Sequence, residues 1–457
     1  MPKLTMIYPS RTKESLNTEL LYSPLALAYL ARHTPPDFRI QLEDEYVGED
    51  VDPRRVDADL VAFSPITPGI TRAYELADAL RKRGITCVAG GAHVSALPGE
   101  GLEHFDSVVV GEGEIPWERL VADFEAGRLE QKYVGRMDVS LENLGTPMRR
   151  YIHPKYRAPA VMTSRGCPHA CSFCYLNAFP HRKYRPIPRE TVLEDLDTIR
   201  NEPYVIVTDE NFMGYSRDDI EDRKVLLESM IRRGYGFIWG CQTTVNLAYE
   251  PELMDLMYRS GCRAVFIGFE AVNPEGLKEI NKPQNYSVDY HDAVRRLHDH
   301  KIAVIASCII GLDSQEYGYH RKLIRALKET KVDFPRVFFM TAWPGTPLFD
   351  KLEKQERASS DWDDVRKDVP AIKFKNYSHK QLLAARKEVM DEFFHPLNIT
   401  RVLGRWILKD RTLIKFFLES AIRNRVIERF RLKRVSKQIV RDSARQAAAE
   451  SVAVQGR

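Results

Sequence analysis

The chain has 457 residues, 44% of them hydrophobic and 29% charged, with a formal net charge of only +4. That is too long for one ordinary domain, and the composition suits a globular protein with ample apolar surface for its cores. No run approaches the roughly 18–20 apolar residues of a membrane-spanning helix, and seven cysteines, an odd number, argue against a disulfide framework. The opening MPKLTMIYPS lacks the zones of a signal peptide, so a cytoplasmic, reducing location is expected.

The first ~140 residues alternate between strand-like and helix-like text. An apolar run at 4–9 ends in proline, helical spacing follows at 23–34, and 38–44 alternates. A buried-type strand at 59–67, an amphipathic helix at 71–84 closed by glycine, and strands at 86–91 and 107–114 complete the series. This order predicts a doubly wound parallel sheet over residues 1–140, with ligands beyond the carboxyl ends of its strands. Ser64, Thr67, Gly90, Gly91 and Gly111 fall there.

Residues 141–157 have weak periodicity and read as a linker. Six further strands are expected within 158–350, beginning APAVMTS (158–164) and followed by YVIVTDENF, GFIWGCQT, AVFIGFE, IAVIASCIIG and PRVFFMTAWPGTP. Six strand–helix units are too few for a closed eight-fold barrel, which typically needs about 250 residues, and predict a partial (β/α)6 barrel. Residues 351–457 read as helical and charged.

Three of the seven cysteines stand in SRGCPHACSFCY (164–175), as Cys167, Cys171 and Cys174. The loop follows the first strand of the second series, at the edge where barrel enzymes place their chemistry. Thiolates suit zinc or iron–sulfur clusters. Structural zinc wants four ligands, and His169 could be a fourth, but zinc leaves the six strand units unexplained. Three thiolates suit a four-iron cluster with one iron left open. The other four, Cys87, Cys241, Cys262 and Cys308, lie in or beside apolar runs and read as buried small hydrophobes.

The C-x3-C-x2-C spacing, its place after the first barrel strand, and Phe173 before the last cysteine resemble the radical S-adenosylmethionine (SAM) superfamily. That resemblance implies a [4Fe-4S] cluster whose open iron is chelated by SAM. It also implies an electron donor such as flavodoxin or ferredoxin, and cleavage of SAM to a hydrogen-abstracting 5′-deoxyadenosyl radical. It implies catalytic roles for Asp209 and Asn211 in TDENF, and cofactor contacts from Gln242, from Glu270 closing FIGFE, and from the backbone of Ile309 and Gly311. For each of these the plainer reading is a strand-end polar group satisfied by the next loop.

A doubly wound domain ahead of such a barrel resembles the cobalamin-binding radical SAM enzymes. The resemblance implies that Ser64, Thr67, Gly90 and Gly91, with Gly111 and Glu112, lie against cobalamin. Where many cobalamin domains carry Asp-x-His-x-x-Gly, this chain reads Asp44-Glu45-Tyr46-Val47-Gly48, so the cobalt would lack an imidazole. A domain kept only for packing is the other reading, and His93 reads as a structural histidine. The commonest reaction of such enzymes is methylation of an unactivated carbon, here of a small-molecule or lipid-like substrate. A ring-forming or oxidative reaction, or a non-catalytic sensor, is the alternative.

From Arg401 onward the chain carries 15 Lys/Arg against 5 Asp/Glu, and its apolar residues recur at helical spacing. That pattern fits either a helix packed on the barrel or an interfacial helix making peripheral contact with the inner membrane surface. Nucleic acid is not expected, because the aromatics sit in the apolar pattern rather than between the charges.

Overall fold

A computed structural model describes residues 1–10, 22–179, 183–362, 371–414 and 418. Six strands form the first sheet: β1 (Lys3–Tyr8), β2 (Arg39–Asp44), β3 (Leu60–Phe63), β4 (Thr86–Ala89), β5 (Ser107–Val110) and β6 (Lys132–Val134). All pair in parallel, in the order β2-β1-β3-β4-β5-β6. The order reverses between β1 and β3, so a crevice opens beyond their carboxyl ends. Four-residue strands as fully buried as Leu60–Phe63 need helices on both faces, and two separate cores supply them.

The second half begins with the short strand β7 (Ala160–Val161) and a small antiparallel pair, β8 (Ser164–Arg165) with β9 (Arg185–Pro186). It continues with β10 (Tyr204–Val207), β11 (Ile238–Thr243), β12 (Cys262–Glu270), β13 (Ala303–Ile310) and β14 (Phe334–Phe339). The parallel sheet runs β7-β10-β11-β12-β13-β14, in chain order, and stays open between its first and last strands. This is the partial barrel the strand count predicts. Its strands alternate: in β11, Trp239, Cys241 and Thr243 are buried under the outer helices, while Ile238, Gly240 and Gln242 stay more open.

The expected first barrel strand, 158–164, splits in two. Only Ala160 and Val161 join the sheet, and the chain then turns so that β8 and β9 carry the cysteine loop away from it. The stretch read as a linker is tied down, because Arg149 grips Asp195 with bonds of 2.7 and 2.6 Å. The two halves share one apolar core, in which Ile7, Phe63 and Leu76 pack in the same cluster as Leu277, Ile309 and Phe349. Burying side chains of this size contributes about 1.5–3 kcal/mol each, so the sheets are held in a fixed relation.

The helix Pro396–Lys409 buries Val402 and Trp406 on the barrel. Trp406 Nε1 donates to Asp333 Oδ1 at 2.8 Å, Arg405 donates to the same oxygen at 3.0 Å, and Lys409 Nζ reaches the His298 carbonyl at 2.9 Å. At its start, therefore, the basic region is a packing helix whose apolar face and cations serve the barrel. Arg411, Ile414 and Leu418 are described, and the rest of the expected amphipathic pattern lies outside the described residues. Among the described residues no helix is long and apolar enough to cross a membrane.

Candidate functional site

The cysteine loop is built by its neighbours. Gly166 has φ +90°, and a Cβ there would stand 2.1 Å from the Lys183 carbonyl, so only glycine lets β8 pass β9 at this point. Ser172 N donates to the Ile280 carbonyl, Leu348 N to the Ser172 carbonyl, and Asn177 Nδ2 to the carbonyls of Cys171 and Cys174 at 2.9 and 2.8 Å. The loop is thereby fixed from the barrel side and from within.

All seven cysteines are free thiols. Cys167 and Cys174 are half-buried and Cys171 is buried. Tyr215 Oη donates to Cys167 Sγ at 2.9 Å, and Gln284 Nε2 to Cys171 Sγ at 3.7 Å. Gln284 Oε1 and Ser172 Oγ are buried with no partner among the described atoms, which marks polar space beside the thiols. Among the described residues, no three His, Cys, Asp or Glu side chains converge as ligands of one metal ion would. A closed zinc site wants four ligands, whereas three thiolates on one loop suit a four-iron cluster with one iron left open. Of the four remaining cysteines, all are buried, and burial pushes the Cys87 thiol up to about 12.

Asp209 is fully buried. Its carboxylate accepts bonds from Thr163 N, Thr163 Oγ1 and Ser164 Oγ, with the buried Arg223 guanidinium on Thr163 Oγ1. Burial raises its pKa from the usual carboxylate value, against the lowering effect of Arg223 and of the hydroxyl and N–H donors. Asn211 is equally enclosed: its Nδ2 donates to the Gly214 carbonyl at 2.7 Å, and its Oδ1 accepts from Thr243 Oγ1 and Thr244 N. Neither side chain is open to a reacting group. In this arrangement Asp209 pins the start of the cysteine loop, and Asn211 ties the β10 loop to β11. Glu210, between them, accepts from Gly166 N at 3.0 Å.

Gln242 does project from its strand end as an exposed side chain. Glu270 is 7% exposed and sits at φ +62°, an uncommon backbone conformation for glutamate, beside a bulge in β12. Lys282 Nζ meets its Oε1 at 2.7 Å, and Ser307 Oγ meets its Oε2 at 3.2 Å. A Cβ on Gly268 would fall 2.2 Å from Glu270 Oε1, so that glycine makes the room. The expected adenine backbone is otherwise engaged. Gln315 Oε1 takes Gly311 N and Leu312 N at 2.9 and 3.2 Å, Gln315 Nε2 donates to the Ile309 carbonyl, and Phe374 packs over Gly311.

In the first domain, Ser64, Gly90 and Gly91 do line the carboxyl edge and stay partly open. A Cβ on Gly91 would lie 3.2 Å from the Pro65 carbonyl and 3.8 Å from Ser64 Oγ, so these residues form one narrow lip. Such a glycine-lined edge fits a bulky planar ligand. Thr67 turns inward instead, its Oγ1 3.2 Å from His93 Nδ1. His93 is fully buried against Glu100 and the Trp362 ring, as a structural histidine should be. Gly111 answers to backbone crowding, because a Cβ there would strike the Gly135 carbonyl at 2.1 Å. Tyr46 packs on the first domain's core and offers no imidazole.

Glu112 is committed elsewhere. It forms a two-pronged pair with Arg185, at 2.9 and 2.5 Å, while Glu114 does the same with Arg165 at 3.1 and 2.7 Å. Arg165 and Arg185 face each other across β8 and β9. The cysteine loop is thus clamped to the carboxyl edge of the first sheet. No sequence signal marked this clamp, nor Tyr215 and Gln284, because each partner lies far off in the chain; Lys282 and Gln315 have nearer partners but stand in no motif.

The profile of the Radical SAM superfamily matches residues 161–345, and that of the B12 binding domain residues 16–121. The bacteriochlorophyllide d C-12(1)-methyltransferase of Chlorobaculum tepidum is 28% identical over 372 residues, covering 79% of this chain and 80% of that protein. The hopanoid C-2 methylase of Rhodopseudomonas palustris is 25% identical, covering 82% of this chain and 71% of that protein. Among solved structures, the cobalamin-dependent SAM radical enzyme OxsB, with aqua-cobalamin and SAM bound, superposes at TM-score 0.66 with 15% identity, over 97% of this chain and 81% of OxsB. TsrM from Kitasatospora setae, with cobalamin and a [4Fe-4S] cluster, gives 0.63 with 16% identity, over 79% and 76%. At these identities the superpositions speak for the fold. Fold and sequence together define a radical SAM protein. More particularly, it is one with a B12 binding domain ahead of the radical SAM domain, and it belongs with the cobalamin-binding radical SAM enzymes.

Proposed function

We propose that this chain methylates an unactivated carbon of a small-molecule or lipid-like substrate. When bound, the [4Fe-4S] cluster with SAM supplies a hydrogen-abstracting radical, and cobalamin supplies the methyl group. Cys167, Cys171 and Cys174 hold the cluster. Glu270, kept in place by Lys282 and Ser307, offers a carboxylate to the polar end of SAM, and Gln242 faces the same mouth. Ser64, Gly90 and Gly91 form the lip against cobalamin, whose cobalt receives no histidine from the protein.

The clamp of Glu112 and Glu114 on Arg185 and Arg165 carries this reading. It joins the carboxyl edge of the first sheet directly to the cysteine loop, so the residues that would hold the two cofactors are tied to one another. A sensor that bound only one of them would have no use for that junction. The curated relatives, whose names describe C-methylation of a tetrapyrrole and of a hopanoid, favour an apolar polycyclic substrate. A flavodoxin or ferredoxin supplies the electron.

The test is anaerobic incubation of the reconstituted protein with SAM, cobalamin, a reductant and a cell extract containing the substrate. Formation of both 5′-deoxyadenosine and S-adenosylhomocysteine supports methylation. The first product alone indicates a ring-forming or oxidative reaction, and neither product indicates a sensor.

A further inference from the structure

The loop after β10 raises a question that the roles of Asp209 and Asn211 leave open, namely why so many bonds converge on so short a segment. Asn211 Nδ2 holds the Gly214 carbonyl at 2.7 Å, while Asp219 Oδ2 accepts from Tyr215 N and Ser216 N at 2.9 and 2.8 Å. Gly214, at φ +77°, turns the chain where a Cβ would stand 2.3 Å from Asp219 Cβ. The Tyr215 ring is then wedged edge-on between His169 and Tyr184, with centroids 5.0 and 5.4 Å away. These contacts together fix the Tyr215 side chain.

We propose that Tyr215 is a positioning residue that sets the reduction potential of the cluster, by donating its hydroxyl to the Sγ of Cys167 at 2.9 Å. This rests on the reading of Cys167 as a cluster ligand. Reduction adds one electron, delivered by the flavodoxin or ferredoxin, and no bond or proton changes hands. The added charge spreads onto the ligand sulfurs. A neutral O–H donor stabilises the more negative state, so the bond raises the potential and eases reduction by a modest donor. Tyr215 is the only side chain among the described residues for which a bond to Cys167 Sγ is seen, whereas the Gln284 contact with Cys171, at 3.7 Å, is far longer.

The experiment is a redox titration of the reconstituted full-length protein, followed by the electron paramagnetic resonance of the reduced cluster. Tyr215→Phe keeps the ring and removes only the donor. Its iron and sulfide contents should match the wild type, its potential should fall, and one exchangeable-proton coupling to the cluster should vanish. SAM cleavage should slow with reduced flavodoxin and recover with a stronger chemical reductant. Tyr184→Phe, which alters a neighbouring ring, should leave the potential in place. An unchanged potential in Tyr215→Phe overturns the inference.

If that variant fails to hold a cluster, 3-fluorotyrosine placed at position 215 provides a stronger donor. The potential must then rise, and no rise overturns the inference. A wild type without about four irons per chain overturns the functional reading itself, which separates the two failures.

Discussion

Replacing Glu112 with glutamine should weaken the junction between the two cofactor domains. The Glu112 and Arg185 side chains are only 13% and 7% exposed, with two bonds near 2.9 and 2.5 Å. At 2.9 Å and an effective dielectric of 20, their gross attraction is about 6 kcal/mol. Desolvation returns part of that, and removing one member of a buried pair costs about 3–5 kcal/mol net. Glutamine keeps the shape and one acceptor, which brings the expected loss below that range, to about 2–3 kcal/mol. Urea unfolding followed by tryptophan fluorescence measures it, in a double-mutant cycle with Arg185→Met. The coupling should be about 1–3 kcal/mol. Because the clamp also fixes the cysteine loop, Glu112→Gln should keep its iron yet consume more SAM per methyl transferred. A coupling below about 0.5 kcal/mol, as for exposed pairs, would refute the reasoning.

The partner pair adds a pH dependence. Burial works against the Glu114 charge, but the Arg165 guanidinium outweighs it and holds the carboxyl below its ordinary range. A carboxyl depressed on folding stabilises above its unfolded value of about 4.3 and stops doing so as pH falls through the folded value. The advantage of wild type over Glu114→Gln should therefore be complete at pH 7 and vanish in stronger acid, read from unfolding midpoints across pH. Lys282→Met leaves Glu270 buried without its cation and should weaken SAM binding, measured by calorimetry on the reconstituted protein. Alanine at Cys167, Cys171 or Cys174 should abolish the iron content, while alanine at Cys241 or Cys308 should preserve it. The Co(II) spectrum of the wild type should lack nitrogen splitting, and a splitting that disappears in His93→Ala would overturn the assignment at Tyr46.

Both sheets were legible because buried parallel strands write continuous apolar runs, and six such runs after residue 158 count out a partial barrel. Strand β6 escaped notice since three residues, of which only Tyr133 is buried, carry no pattern. The cysteines were legible because their spacing is local. Roles read from single residues fared differently. Asp209, Asn211, Thr67 and Glu112 stand at the right strand ends, but their partners come from 163–164, 214, 93 and 185, and sequence does not show which of two loops a polar side chain will choose. At Gly111 the sequence could not show that a Cβ would also strike the Gly135 carbonyl. The basic tail offered a helical stripe with two explanations, and Trp406 on Asp333 settles its first turns as packing.

The central claim, radical methylation of carbon, is tested most directly with SAM labelled in its methyl group. The reconstituted protein, supplied with cobalamin, reductant and a cell extract containing the substrate, should pass the label to an apolar product. Transfer should stop when cobalamin is withheld or when Cys171 is replaced by alanine. Label that remains wholly in SAM and methionine while 5′-deoxyadenosine accumulates would contradict the account.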